Sequence, residues 1–306
     1  MKYSRRKALS TITLTSGALF LTGFGSAKAK QSNRNFQFCL NTSTISGQKP
    51  GLINYIEIAA RAGYDGIEVW ISDVKDYLES GHSSTSLKKH INDSGIKVEN
   101  AIGFAPWLTE GETGFKQMEN EMEMLSEIGC HRIAAPPAGV SSDKPLDLFA
   151  AGEKYRELIE LGRQTGVMPQ LEFWGSSKVL WNMGQILMIA AIADDPDVRL
   201  LPDVYHMFRG GSGFETLKMI NGSILEIFHM NDYTDTIPRE EQDDADRVYP
   251  GDGSAPLLEI LSDLKNMGGD KVLSLELFNR DYWQKDPLSV AETGLSKMKA
   301  LVNDIR

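Results

Sequence analysis

Cysteine is nearly absent from this chain. Cys39 and Cys130 stand far apart among 306 residues, which excludes a disulfide framework, and two buried free thiols are expected. No Gly-x-Gly-x-x-Gly follows the first apolar run, so the fingerprint of a dinucleotide-binding open sheet is missing. Basic residues are also scarce, 32 Lys and Arg against 42 Asp and Glu, giving a net charge of −10. So acidic a surface is repelled by phosphate backbones and anionic membranes, which argues against nucleic-acid or membrane partners. Past the first thirty residues there is no low-complexity segment and no interdomain linker.

The first thirty residues read as an export signal. Paired Arg5 and Arg6 precede an apolar run from Thr11 to Phe24, and Ala27 to Ala29 supply small residues for cleavage. Fourteen modestly apolar residues fall short of the roughly 20 that a spanning helix needs. The Arg-Arg pair resembles a twin-arginine signal, which implies export of an already folded protein to the periplasm. Cleavage would remove five positive charges and no acids, moving the net charge to −15.

Beyond the signal one pattern recurs: a short apolar run, a polar turn, then a segment of helical period. The runs cover 36–43, 66–72, 97–106, 132–139, 168–175, 199–208, 225–232 and 271–278. Between them, 52–64, 115–129, 153–166 and 257–269 place apolar residues at three- and four-residue steps and are stopped by glycine, at Gly63 in the first, as a left-handed helix cap requires. Eight such units near thirty residues apart predict an α/β fold, a single-domain (β/α)8 TIM barrel over 35–306.

In such a barrel the chemistry gathers at the C-terminal ends of the strands. Four consecutive runs end in an ionisable residue: Glu172 in QLEFWG, Asp203 in LLPDVYHMF, His229 in IFHMND and Glu276 in LSLELF. Three carboxylates around one imidazole, with few basic residues nearby, call for a divalent cation among them. Oxygen-rich ligation with one nitrogen suits Mn²⁺, Mg²⁺ or Co²⁺ better than a sulfur-seeking metal.

The order Glu, Asp-x-x-His, His-x-x-Asp, Glu resembles the metal site of the xylose isomerase-like TIM barrel family of sugar isomerases and epimerases. The similarity runs from FCLNTSTI through GYDGIEVW to LSLELFNRDYW. It implies one divalent ion, commonly Mn²⁺ with Mg²⁺, Co²⁺ or Zn²⁺ as alternatives, bound by Glu172, Asp203, His229 and Glu276. It further implies Glu172 and Glu276 as the acid/base pair, and His206 as donor to a substrate oxygen. Ketose epimerases carry a substrate-binding arginine six residues after the histidine ligand, where this chain has Asp235. The expected chemistry is proton abstraction α to a carbonyl, through a metal-bound cis-enediolate, by a carbohydrate isomerase or epimerase. The same intermediate also allows a lyase or dehydratase acting on a keto-sugar or keto-glycoside. An abasic-site endonuclease of the same superfamily would need a multi-zinc cluster with extra histidines, which FAPWL at the third strand does not provide.

Further substrate contacts are expected from Trp70 and Trp107, rimming the mouth, and from Asn41, which could instead shape its own turn. Asp232 reads as support for His229 or as a helix cap, and Phe173 and Trp174 as wall or core. Arg247, in RVYPGDGSAP, lies in the long acidic connection after the seventh strand. That connection is expected to lie over the site as a lid, with Arg247 reaching a substrate oxygen or pairing with its acidic neighbours. The sugar, its phosphorylation and a possible homo-oligomeric state are left open.

Overall fold

The computed structural model describes residues 36–109, 111–141 and 144–305. The export signal expected over 1–30 lies outside the described residues. The eight expected strands form at β1 (Phe36–Asn41), β2 (Gly66–Trp70), β3 (Lys97–Ile102), β4 (Arg132–Ala135), β5 (Met168–Glu172), β6 (Leu200–Leu201), β7 (Ile227–Met230) and β8 (Lys271–Leu275). All ladders are parallel and run in the orders β3-β2-β1-β8-β7 and β4-β5-β6.

The two runs curl into one barrel. β3 lies alongside β4, and isolated parallel bridges, Leu200 to Leu225 and Asp203 to His229, join β6 to β7. At the strand starts ion pairs cross both seams. Arg132 on β4 contacts Glu99 on β3 at 3.1 Å, and Glu226 before β7 is held by Arg132 at 2.5 Å and by Arg199 at 2.8 Å.

Helices cover the outside: α1 (Leu52–Ala62), α2 (Ile71–Glu79), α3 (Ser84–Asp93), α4 (Gly111–Ile128), α5 (Leu148–Thr165), α6 (Met183–Ala193), α7 (Val204–Arg209), α8 (Leu257–Asn266) and α9 (Pro287–Asp304). Gly63 ends α1 at φ +88°, its N–H bonded to the Ala59 and Ala60 carbonyls, a conformation that residues with a Cβ rarely adopt.

Strand alternation sorts the interior. Phe38, Leu40, Leu273 and Leu275 belong to the layer between sheet and helices, whereas Cys39, Ile102, Ala134, Leu201, Ile227 and Val272 fill the barrel's inside. Other positions in the inward phase are polar: Asn41, Glu68, Asn100, His229 and Ser274 are all fully buried. The sixth run is much shorter as a strand than its apolar pattern predicts. Pro202 has no N–H for a ladder, and Asp203 instead caps α7 by accepting from the His206 amide at 2.7 Å.

Candidate metal centre and catalytic cavity

Glu172 is the last residue of β5, Asp203 stands just past β6, His229 sits within β7, and Glu276 follows β8. Their positions at one end of the barrel follow from these strand registers. Asp203, His229 and Glu276 each bring one ligand atom to within 4.8 Å of the others. His229 Nδ1 lies 3.2 Å from Glu276 Oε2 and 3.8 Å from Asp203 Oδ2. Glu172 lines the adjoining cavity with Glu276 but is not one of that group of three.

The donor set fits a divalent ion. His229 Nδ1 is buried and has no hydrogen-bond partner. The opposite ring nitrogen, Nε2, lies 3.0 Å from Glu68 Oε1 and donates to it, so Nδ1, turned toward Glu276 and Asp203, is the nitrogen an ion would take. Burial opposes a charge on the ring, but Glu276 and Glu68 more than offset it and hold the imidazole well above its ordinary value, so a divalent ion would take the place of the Nδ1 proton among these carboxylates. Burial pushes the Glu172 carboxyl well above its ordinary value, and the charges of Glu276 and Asp203 add to the rise against the opposing pull of His229. Burial acts on Glu68 in the same sense, but His229, Ser274 and Asn100 more than offset it and hold its carboxyl below the ordinary value.

The cavity beside this group measures about 240 Å³. Trp70, Phe104, Trp174 and Phe278 form an aromatic wall, with Trp70 5.4 Å from Phe104 and 6.1 Å from Phe278 between ring centroids. The polar lining comprises Glu172, Ser176, His206, Asp244, Arg247 and Glu276.

Residues 56–301 match the xylose isomerase-like TIM barrel. The chain belongs to that family. An inosose isomerase of Bacillus velezensis is 29% identical over 278 residues, covering 87% of this chain and 97% of that protein. One from Bacillus licheniformis is 31% identical over 270 residues, covering 84% and 93%. Among solved structures, the IolI protein with a bound zinc atom superposes with a TM-score of 0.80 at 25% identity, covering 88% of this chain and 99% of that one. An L-ribulose 3-epimerase, at a TM-score of 0.70 and 16% identity over 88% and 95% of the two chains, shares the fold. This member of the family is an enzyme of the sugar isomerase type.

The sequence-predicted contacts divide in this family member. Trp70 does line the cavity, and Trp174 belongs to its wall. Trp107 does not: it is fully buried, donates from Nε1 to the Pro136 carbonyl at 2.9 Å and packs near Tyr155. The aromatic residue that follows β3 at the mouth is Phe104, 45% exposed, which the sequence reading passed over. Asn41 does not line the cavity either. Its amide donates to Glu68 and Glu276 and accepts from Ser43 and Trp70.

Arg247 is fully buried although it lines the cavity. Its Nη1 donates to Glu276 Oε2 at 2.8 Å and Asp203 Oδ2 at 3.1 Å, and its Nη2 to Asp244 at 2.5 Å. The guanidinium lies 4.7 Å from the Tyr205 ring centre and 5.1 Å from that of Phe278. Its segment is firmly tied rather than a bare flap. Asp232 and Val248 exchange both backbone hydrogen bonds at 3.0 Å, and the Asp232 carboxylate accepts from the amides of Gly251, Gly253 and Ala255.

Glu68 is a further residue that sequence reasoning missed. A charged side chain inside the apolar run GIEVW was the available signal, by the same burial cost that singled out Glu276 in LSLELF.

Proposed function

We propose that this chain is a divalent-metal-dependent isomerase or epimerase of a neutral keto-cyclitol or keto-sugar, with an inosose as the first candidate. The observation that carries this reading is the pair Glu172 and Glu276 in one small cavity, beside a buried imidazole whose free nitrogen faces carboxylates. The inosose isomerase relatives supply the candidate substrate. Neutrality follows from the lining. Arg247 is the one cationic side chain among the described lining residues, and its guanidinium is already matched to Asp203, Asp244 and Glu276. A phosphate or carboxylate would meet an acidic cavity with no free cation. The aromatic wall instead suits the C–H face of a hydroxylated ring.

Asp203, His229, Glu276 and Glu172 would hold the ion, Mn²⁺ by first preference, which when bound supplies Lewis-acid polarisation of the substrate carbonyl. Glu172, with no hydrogen-bond tether to hold it among the described contacts, takes the proton from the carbon α to that carbonyl. In isomerisation Glu172 would hand the same proton back to the neighbouring carbon of the resulting enediolate. In epimerisation Glu276, placed by Asn41 and Arg247 and first protonated from solvent, would deliver its proton to the opposite face while Glu172 releases the abstracted one to solvent. His206 Nε2 faces an Arg247 donor at 3.3 Å and therefore accepts. This leaves Nδ1–H, without a partner in the structure, to donate to a substrate oxygen.

Proton NMR in D2O tests the reading. Manganese-supplied protein incubated with an inosose should exchange the α-hydrogen with solvent and accumulate an isomer, and Glu172→Gln should abolish both. Loss of water or of an aglycone in place of isomer formation would transfer the assignment to a lyase. No exchange at all would remove it. Export in the folded state belongs to the same proposal and rests on Arg5 and Arg6 ahead of the apolar run. Replacing both with lysine should leave the protein in the cytoplasmic fraction.

A further inference from the structure

We infer that Glu68 and Asn41 form a buried bracket that sets the affinity of the site for its ion, by fixing the ring of His229 and the carboxylate of Glu276. The inference rests on the metal reading above.

Four donors converge on the Glu68 carboxylate. Oε1 lies 2.7 Å from Asn100 Nδ2 and 3.0 Å from His229 Nε2, and Oε2 lies 2.8 Å from Asn41 Nδ2 and 2.7 Å from Ser274 Oγ. His229 Nε2 lies 3.0 Å from Oε2 as well, so each oxygen meets at least two donors, which uses the lone-pair capacity of an ionised carboxylate and leaves no place for a proton. The ring of His229 is thereby held with Nε2–H toward β2 and Nδ1 toward Asp203 and Glu276. Asn41 carries the same constraint to the second ligand. Its Nδ2 is shared between Glu68 Oε2 and Glu276 Oε1, the latter at 3.0 Å, while Glu276 Oε2 is the oxygen nearest His229 Nδ1. The Asn41 amide cannot turn over, because its Oδ1 accepts from Trp70 Nε1 at 3.1 Å and from the Ser43 amide at 3.0 Å.

Glu68, Asn41, Asn100, Ser274 and His229 are fully buried and come from the strands of the continuous five-stranded run. A barrel interior needs no carboxylate for packing, and burying one is costly unless it is fully matched. Glutamine would not serve as a substitute, since its NH2 must face one pair of these donors whichever way it turns. Glu68 is accordingly a positioning residue, acting on the reaction through His229.

The test uses the full chain, stripped of metal by a chelator and titrated with Mn²⁺, with the free ion followed by electron paramagnetic resonance. Glu68→Gln should raise the Kd for Mn²⁺ about 10–100-fold and change the visible spectrum of the Co²⁺ form. The metal-free variant should unfold at a lower midpoint, because a buried amide then faces donors, so affinity is read below that midpoint on folded protein only. Ser274→Ala deletes one donor to the same carboxylate, should weaken Mn²⁺ binding less, and decides the matter if Glu68→Gln does not fold. Variants that bind Mn²⁺ within twofold of the wild type overturn the inference, as does an affinity loss that only tracks loss of folded protein. A wild-type chain that binds neither Mn²⁺ nor Co²⁺ overturns the metal reading itself.

Discussion

At the scale of single residues, Phe104 and Trp107 show how little a side chain's type says about its duty. Both follow β3, yet one stands at the cavity mouth and the other is fully enclosed. Phe104→Ala should raise KM several-fold while stability stays within about 0.5 kcal/mol of the wild type. Trp107→Ala should leave KM near wild type and cost about 3–5 kcal/mol, measured by urea unfolding. Arg247 has a sharper profile, because removing it strips a buried partner from Asp203 and Glu276 at once. Arg247→Ala should destabilise the metal-free protein by about 3–5 kcal/mol, the usual cost of a broken buried pair. Lysine should recover only part of this, since one ammonium cannot reproduce a fork that reaches three carboxylates.

Elements meet at two seams where ladder hydrogen bonds thin out, and there the charges at the strand starts do the joining. Glu226 bridges Arg132 and Arg199 near both seams. Burial raises the Glu226 carboxyl, but the two guanidiniums more than offset this and hold it below its ordinary value of 4.5. A depressed carboxylate pKa contributes stability that is complete above the unfolded-state value and is lost as pH falls through the folded one. Glu226→Gln should therefore lower stability at pH 7, by about 1–2 kcal/mol for so partly exposed a group. The same exchange should matter progressively less as pH falls below 4.5, followed in urea titrations.

For the whole molecule the governing quantity is linkage to the ion. A ligand that binds the folded state alone stabilises it by about 2.7 kcal/mol at a hundred times its Kd. Thermal unfolding with saturating Mn²⁺ should thus lie several degrees above that in a chelator. Glu172→Gln should shrink the gap if that carboxylate is the fourth ligand. An unchanged gap would leave Asp203, His229 and Glu276 as the set.

Much of this was legible before any coordinates. The repeat of apolar run and helical segment reports which residues must be buried, and burial periodicity is a local property of the chain; that is why eight strands and the four ionisable strand ends could be read in order. The early stop of β6 could also be foreseen, because Pro202 lacks an N–H whatever surrounds it. What remained hidden was pairing across distance. Glu68 reaches His229 and Asn41 reaches Glu276 across strands remote in sequence, and Arg247 bends back from a long loop into the carboxylates. Barrel closure alone decides which inward-facing groups become neighbours, so the tertiary structure chose the partners while the chain's own alternation had already chosen which side chains would point inward.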